Sequence, residues 1–176
     1  MQVRVVTSDG LGGAERAALR GLWDNAFGDR FNDTDADHAY GGVHVLVLDG
    51  GRPVAHGSAV PRSIRFGEGP WREVAYVEAV ATAPGLQGRG LGRTVVLRLH
   101  EEIDARWEVA MLSTGRATGF YERLGWTRWQ GTSFTLRADG PAEDGEHGGL
   151  MVRGHRSAGI DVSGTVTCCD RSGDAW

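Results

Sequence analysis

The sequence predicts a mixed α/β domain, and three observations carry that expectation. The chain opens on a strand-like alternation followed by a helical apolar face. Three strand-like segments then follow one another through glycine turns and run into a glycine-rich loop. A second amphipathic helix leaves that loop, and short strands with one more helix close the chain. The 176 residues suit one domain, 1–176, with no internal repeat and no linker long enough to divide it.

QVRVVT (2–7) alternates as a first strand. In GAERAALRGLWDNAF (13–27), Leu19, Leu22, Trp23, Ala26 and Phe27 share one helical face. GDRFNDTDADHAYGG (28–42) is polar and carries Asp29, Asp33, Asp35 and Asp37, which fits a loop holding a short helix. VHVLVLD (43–49) and PVAHGSAVPRSIRF (53–66) flank an Asp49-Gly-Gly-Arg52 hairpin turn. GEGPW forms a second turn, and EVAYVEAVAT (73–82) a third strand. After the loop, Leu91, Val95, Val96, Leu99 and Ile103 mark one buried helical face. EVAMLST (108–114) reads as a strand, RATGFYERLGW (116–126) as a short helix, and TRWQGTSFTLR (127–137) as strand-like. Residues 138–149 form an acidic, glycine-rich loop, and LMVRG and DVSGTVTCC are closing strands.

Composition excludes several classes. No apolar run approaches the roughly 20 residues that span a bilayer. MQVRVVTSDG lacks the basic and apolar regions of a signal peptide, so a cytoplasmic protein with no membrane contact is expected. Net charge −4 disfavours nucleic acid and suits a cationic partner. All nineteen basic residues are arginine, which removes mechanisms built on lysine. Cys168 and Cys169 are adjacent and the six histidines scattered, so no disulfide and no metal site is expected.

Residues 83–93, APGLQGRGLGR, place four glycines at a strand-to-helix turn. Glycine costs conformational entropy, and close approach of backbone N–H groups to an anion at a helix N-terminus is the usual return. Leu91 stands where a P-loop needs lysine, and Arg93 stands at the third glycine of a dinucleotide fingerprint. Gln87-Gly88-Arg89-Gly90-Leu91-Gly92 does meet [Q/R]-x-x-G-x-[G/A]. In that pattern the segment resembles the pyrophosphate loop of the GNAT acetyltransferases. The resemblance implies acetyl-CoA as cosubstrate and a GNAT fold, a central mixed, mostly antiparallel sheet with flanking helices. STGRATGFYERLGW resembles the same family's closing strand–helix unit, in which Tyr121 matches the tyrosine facing the thioester sulfur. Read by itself, Tyr121 is equally an amphipathic core residue beside Phe120 and Leu124.

FNDTDADHAYGGVHVLV, YVEAVAT, FYERLGW and the ending CDRSGDAW resemble the aminoglycoside 2′-N-acetyltransferases within that superfamily. The likeness runs from about Phe27 to Trp176. It implies Glu78 as general base and Tyr121 as general acid. It implies Ala79, Val80 and Thr82 as the strand pairing with the pantetheine arm, and Ser113 as a substrate contact. Asp35, Asp174 and the carboxylate of Trp176 match the acids that hold ammonium groups, and Glu146 is the nearest match for a further one. Arg30 departs from the pattern: it stands where the family carries an acid, and Asp29 lies one residue earlier. The charge layout agrees with a polycationic substrate, since acids in 29–37, 143–146 and 170–176 can serve one pocket. Solvated acidic loops are the plainer reading of the same residues.

The expected function is therefore direct acetyl transfer from acetyl-CoA to the 2′-amine of an aminoglycoside, conferring antibiotic resistance. Alternatives are a GNAT enzyme for another amine (a polyamine, an amino sugar or a protein N-terminus) and a non-catalytic acyl-CoA sensor. The oligomeric state is left open, a homodimer included.

Overall fold

The computed structural model describes residues 1–145 and 148–176. The chain forms two compact units, Met1–Val60 with Val77–Ala105, and Pro61–Tyr76 with Arg106–Trp176.

In the first unit, β1 (Gln2–Thr7) runs antiparallel to β2 (Val43–Asp49), and β2 antiparallel to β3 (Arg52–Phe66). The β2–β3 turn has positive φ at both Gly50 (55°) and Gly51 (82°), the requirement that the Gly-Gly pair meets. Strand β4 (Trp71–Thr82) lies beside β3. Both β3 and β4 contribute residues to both units. Helix α1 (Gly13–Phe27) buries Leu19, Leu22 and Trp23 as its periodicity predicts. These pack with Leu11, Ala36, Ala39, Leu46 and Ala81, while Phe27 and Phe31 stack at 5.1 Å on the flank. The polar 28–42 segment does hold a short helix, α2 (Asp33–His38). Helix α3 (Leu91–Asp104) buries Val95, Val96, Leu99 and Ile103, and His100 with them. Gly57 lets that face approach the sheet. A Cβ there would lie 2.8 Å from Val95 Cγ1 and 3.0 Å from Leu99 Cδ1.

In the second unit the strand order is β6-β9-β5-β4-β3-β10-β7-β8, with β5 (Ala110–Ser113), β6 (Thr127–Arg128), β7 (Ser133–Arg137), β8 (Gly140–Glu143), β9 (Leu150–Arg153) and β10 (Val166–Cys169). The β4–β5 and β10–β7 pairs are parallel, and the β5–β9, β6–β9, β7–β8 and β10–β3 pairs antiparallel. Helix α4 (Thr118–Glu122) follows β5. Two sequence expectations change here. The acidic 138–149 segment contains β8, because Gly140 at φ 122° turns the chain back onto β7. The 127–137 run is two strands, because Gln130 and Gly131 instead donate to Val162 O at 2.8 and 3.0 Å.

Candidate active site

The glycine loop delivers the chain into α3 through Gly90, which is the N-cap in the left-handed region at φ 81°. No side chain caps this N-terminus, so its first N–H groups face outward with the positive end of the helix dipole. Thr94 N closes the first turn on Gly90 O at 3.0 Å. Gly88 also has positive φ, 76°, and a Cβ at Gly85, Gly88 or Gly90 would meet nothing within 4 Å. Gly88 and Gly90 thus serve backbone conformation beside open space. Gln87, Gly88, Arg89 and Gly90 are exposed, while Leu91 and Gly92 are partly buried. Gln87 folds back, Nε2 donating to Thr82 O at 3.4 Å.

Strand β4 holds Glu78, Ala79, Val80 and Thr82 in sequence just before the loop, all partly buried. Ala79 has φ 51°, the one positive value among described non-glycine residues. Its strand neighbours therefore meet an irregular peptide, Ala79–Val80, at the segment expected to pair with pantetheine. Alternation in YVEAVAT gives no sign of this departure. Ser58 Oγ donates to Glu78 O at 3.4 Å. Ala79 O instead faces a buried histidine, His56, whose Nδ1 lies 3.0 Å away.

Among the acids of the first unit, Asp29 is exposed on a short turn, Gly28–Arg30. Asp35 is partly buried and already engaged. Its Oδ2 accepts from Asn32 N at 2.9 Å, and Asn32 Oδ1 accepts from Thr34 N and Asp35 N at 2.8 and 3.2 Å. This reciprocal cap ties Asp35 to the start of α2.

In the second unit, Tyr121 is 6% exposed on α4, edge-on to Phe120 at 5.0 Å and to Trp126 at 5.9 Å. Burial pushes its phenol well above the ordinary tyrosine value, so it stays protonated across the neutral range. Ser113 ends β5 opposite Leu150.

Two of the acidic segments do meet. Trp176 is buried, 4% exposed, and its Nε1 donates to Asp144 Oδ2 at 2.8 Å. Thr135 Oγ1 donates to the same oxygen at 2.6 Å. Asp174 Oδ1 accepts from Trp176 N at 3.2 Å, Asp174 O accepts from Arg171 Nε at 2.8 Å, and Cys168 Sγ donates to Ala175 O at 3.4 Å. The acid of the 143–146 run that reaches the terminal segment is Asp144; the resemblance implies Glu146 instead. Glu146 lies outside the described residues. Among the described residues no three His, Cys, Asp or Glu side chains gather as a metal site. No helix among them is long and apolar enough to cross a membrane.

Residues 11–129 match the family described as acetyltransferase (GNAT) domain. The chain is 30% identical to an aminoglycoside 2′-N-acetyltransferase of Mycolicibacterium fortuitum, over 98% of this chain and 91% of that protein. Among solved structures it is similar to YhbS, a GNAT family N-acetyltransferase of Escherichia coli in complex with CoA. There the TM-score is 0.64 at 14% identity, over 95% of this chain and 88% of that one. It is also similar to Eis1 of Mycobacterium abscessus, with a TM-score of 0.61 at 19% identity, over 75% of this chain and 33% of the longer protein. The α/β arrangement of a mixed sheet with flanking helices is the fold these structures share with it.

Proposed function

The chain belongs to the GNAT acetyltransferase family, and on that premise we propose that it transfers the acetyl group of acetyl-CoA to the 2′-amine of an aminoglycoside. The observation that carries the coenzyme half is the uncapped N-terminus of α3 behind Gly88 and Gly90. Outward N–H groups and the helix dipole suit a diphosphate, and the exposed Arg89 can add a charge-assisted bond. The amine half rests on the relative from Mycolicibacterium fortuitum and on acids whose charge complements a polycation: the exposed Asp29 and Asp174 and the partly buried Asp35. Glu146, Ser113 and Trp176 complete the proposed substrate set.

The roles follow from what acyl transfer needs. Glu78 accepts the proton of the attacking amine, through water. The Val80 N–H receives the developing oxyanion. Tyr121, protonated in the resting protein, gives its proton to the departing thiolate. Ala79, Val80 and Thr82 pair with the pantetheine arm, and Gln87 to Gly92 hold the pyrophosphate. Transfer is direct, with both substrates bound and no acyl-enzyme. Cys168 is buried with its thiol pushed up by desolvation, a poor nucleophile. Resistance in a cytoplasmic setting is the matching physiological role.

Thiol release from acetyl-CoA, measured with an aminoglycoside and with spermidine, tests the reading. Release with the aminoglycoside supports it. Release with spermidine alone would make the protein a GNAT enzyme for another amine, and tight acetyl-CoA binding with no release would make it a sensor.

A further inference from the structure

Two histidines that no step above uses lie on one hydrogen-bonded chain inside the first unit. Ser8 Oγ lies 2.8 Å from His44 Nε2, His44 Nδ1 lies 3.0 Å from His56 Nε2, and His56 Nδ1 lies 3.0 Å from Ala79 O. Both rings are fully buried. Burial holds both neutral, His44 lowered to about 4 and His56 to about 3. A neutral imidazole has one donor and one acceptor nitrogen, so the chain must run in one direction.

Ser8 sets that direction. Its Oγ receives Gly41 N at 2.8 Å and Gly42 N at 3.2 Å, which occupy both lone pairs. The hydroxyl is left to donate. His44 Nε2 at 2.8 Å is a closer acceptor than Gly42 O at 3.3 Å. His44 must then donate from Nδ1 to His56 Nε2, and His56 from Nδ1 to Ala79 O. Trp23 Nε1, 3.1 Å from that same nitrogen, competes for the opposite arrangement. The two N–H groups bound to Ser8 outweigh the single indole donor, because reversing the chain would ask Ser8 Oγ to accept three bonds.

The receiving carbonyl is the one whose residue sits at φ 51°. Such a conformation is strained for a residue that carries a Cβ and persists where its surroundings over-determine it. In a trans peptide the Ala79 C=O and the Val80 N–H point in opposite directions. A bond to the carbonyl thus fixes the amide plane and, by polarising it, strengthens the N–H as a donor.

We propose that His56 is a positioning residue for acyl transfer, holding and polarising the Ala79–Val80 peptide from behind so that the Val80 N–H is aimed at the oxyanion, with its tautomer set from Ser8 through His44. This rests on the transferase reading above, and the test separates the two.

Long-range 1H–15N spectroscopy of the unmutated, ligand-free protein reads the tautomers. His56 and His44 should both be protonated at Nδ1, and His56 protonated at Nε2 would overturn the proposal. Two variants follow. His56→Asn keeps an N–H near the Nδ1 position, and His56→Leu keeps none. The Val80 amide resonance should shift in His56→Leu and return toward wild type in His56→Asn. With acetyl-CoA Kd unchanged, kcat should fall about tenfold or more in His56→Leu, on the order of 1.4 kcal/mol, and largely recover in His56→Asn. A Val80 resonance indifferent to both variants, or a folded His56→Leu with full kcat, would overturn the proposal. If the wild type acetylates no amine while the Val80 resonance still follows His56, the transferase reading fails and the His56–Ala79 link stands.

Discussion

The indole of Trp176 donates to Asp144 Oδ2 at 2.8 Å, across 32 residues of sequence. Thr135 of β7 shares that oxygen. The acidic CDRSGDAW segment is therefore a docked strap, and one of its two exposed acids, Asp174, is held on it by Trp176 N. Asp144→Ala should leave two donors without their acceptor and cost about 1–3 kcal/mol each at most, a loss read by urea denaturation. Because the strap carries Asp174, the aminoglycoside KM should also rise while acetyl-CoA Kd holds. An unchanged KM in a destabilised Asp144→Ala would make the strap purely structural.

Gly90 separates backbone strain from anion recognition. Gly90→Ala must adopt φ 81° and should lose a modest part of stability. Gly90→Glu adds a negative charge at the N-terminus of α3. Its acetyl-CoA Kd should rise at least tenfold beyond that of Gly90→Ala, about 1.4 kcal/mol. Calorimetry giving equal affinities for the two variants would remove the diphosphate from this loop.

Tyr121→Phe deletes one hydroxyl from a packed ring. If that hydroxyl protonates the thiolate, kcat should fall roughly 10²-fold with substrate affinity nearly unchanged. Full kcat would leave Tyr121 as a core residue against Phe120 and Trp126.

His44 and His56 impose a pH dependence on stability. Their folded values, about 4 and about 3, lie below the unfolded value near 6.5. The unfolded chain therefore takes up protons first as pH falls. The stability of the neutral rings is complete above about pH 6.5 and is lost as pH falls toward 4, by about 1.4 kcal/mol per pH unit for each ring. Urea midpoints at pH 7, 6 and 5 should fall more steeply for wild type than for His56→Asn. Parallel slopes would mean that His56 titrates normally.

Much of this architecture is legible in the sequence, for physical reasons that also mark where legibility stops. The faces of α1 and α3 follow from 3.6-residue spacing, and the Gly50-Gly51 turn from the φ values it demands. The Gln87–Gly92 pattern locates an uncapped helix start because the same glycines that break the strand begin the helix. Strand β8 was invisible: GPAE has no apolar alternation and is a strand because β7 pairs with it. The Ala79 irregularity leaves no trace in an alanine. Asp144 looks like any acid in a glycine-rich loop until Trp176 reaches it. His44 and His56 sit in stretches of β2 and β3 that are buried on both faces, so no alternation singles them out, and their partnership depends on the β2–β3 register that brings Leu46 opposite His56.

Transfer to a 2′-amine is tested most directly by supplying acetyl-CoA with a 2′-amino aminoglycoside and, separately, with its 2′-hydroxyl counterpart, and locating the product acetyl group by NMR. Only the 2′-amino compound should turn over, with the acetyl group on the 2′ nitrogen. Acetylation at another amine, or equal turnover of the 2′-hydroxyl compound, would rule out transfer to the 2′-amine.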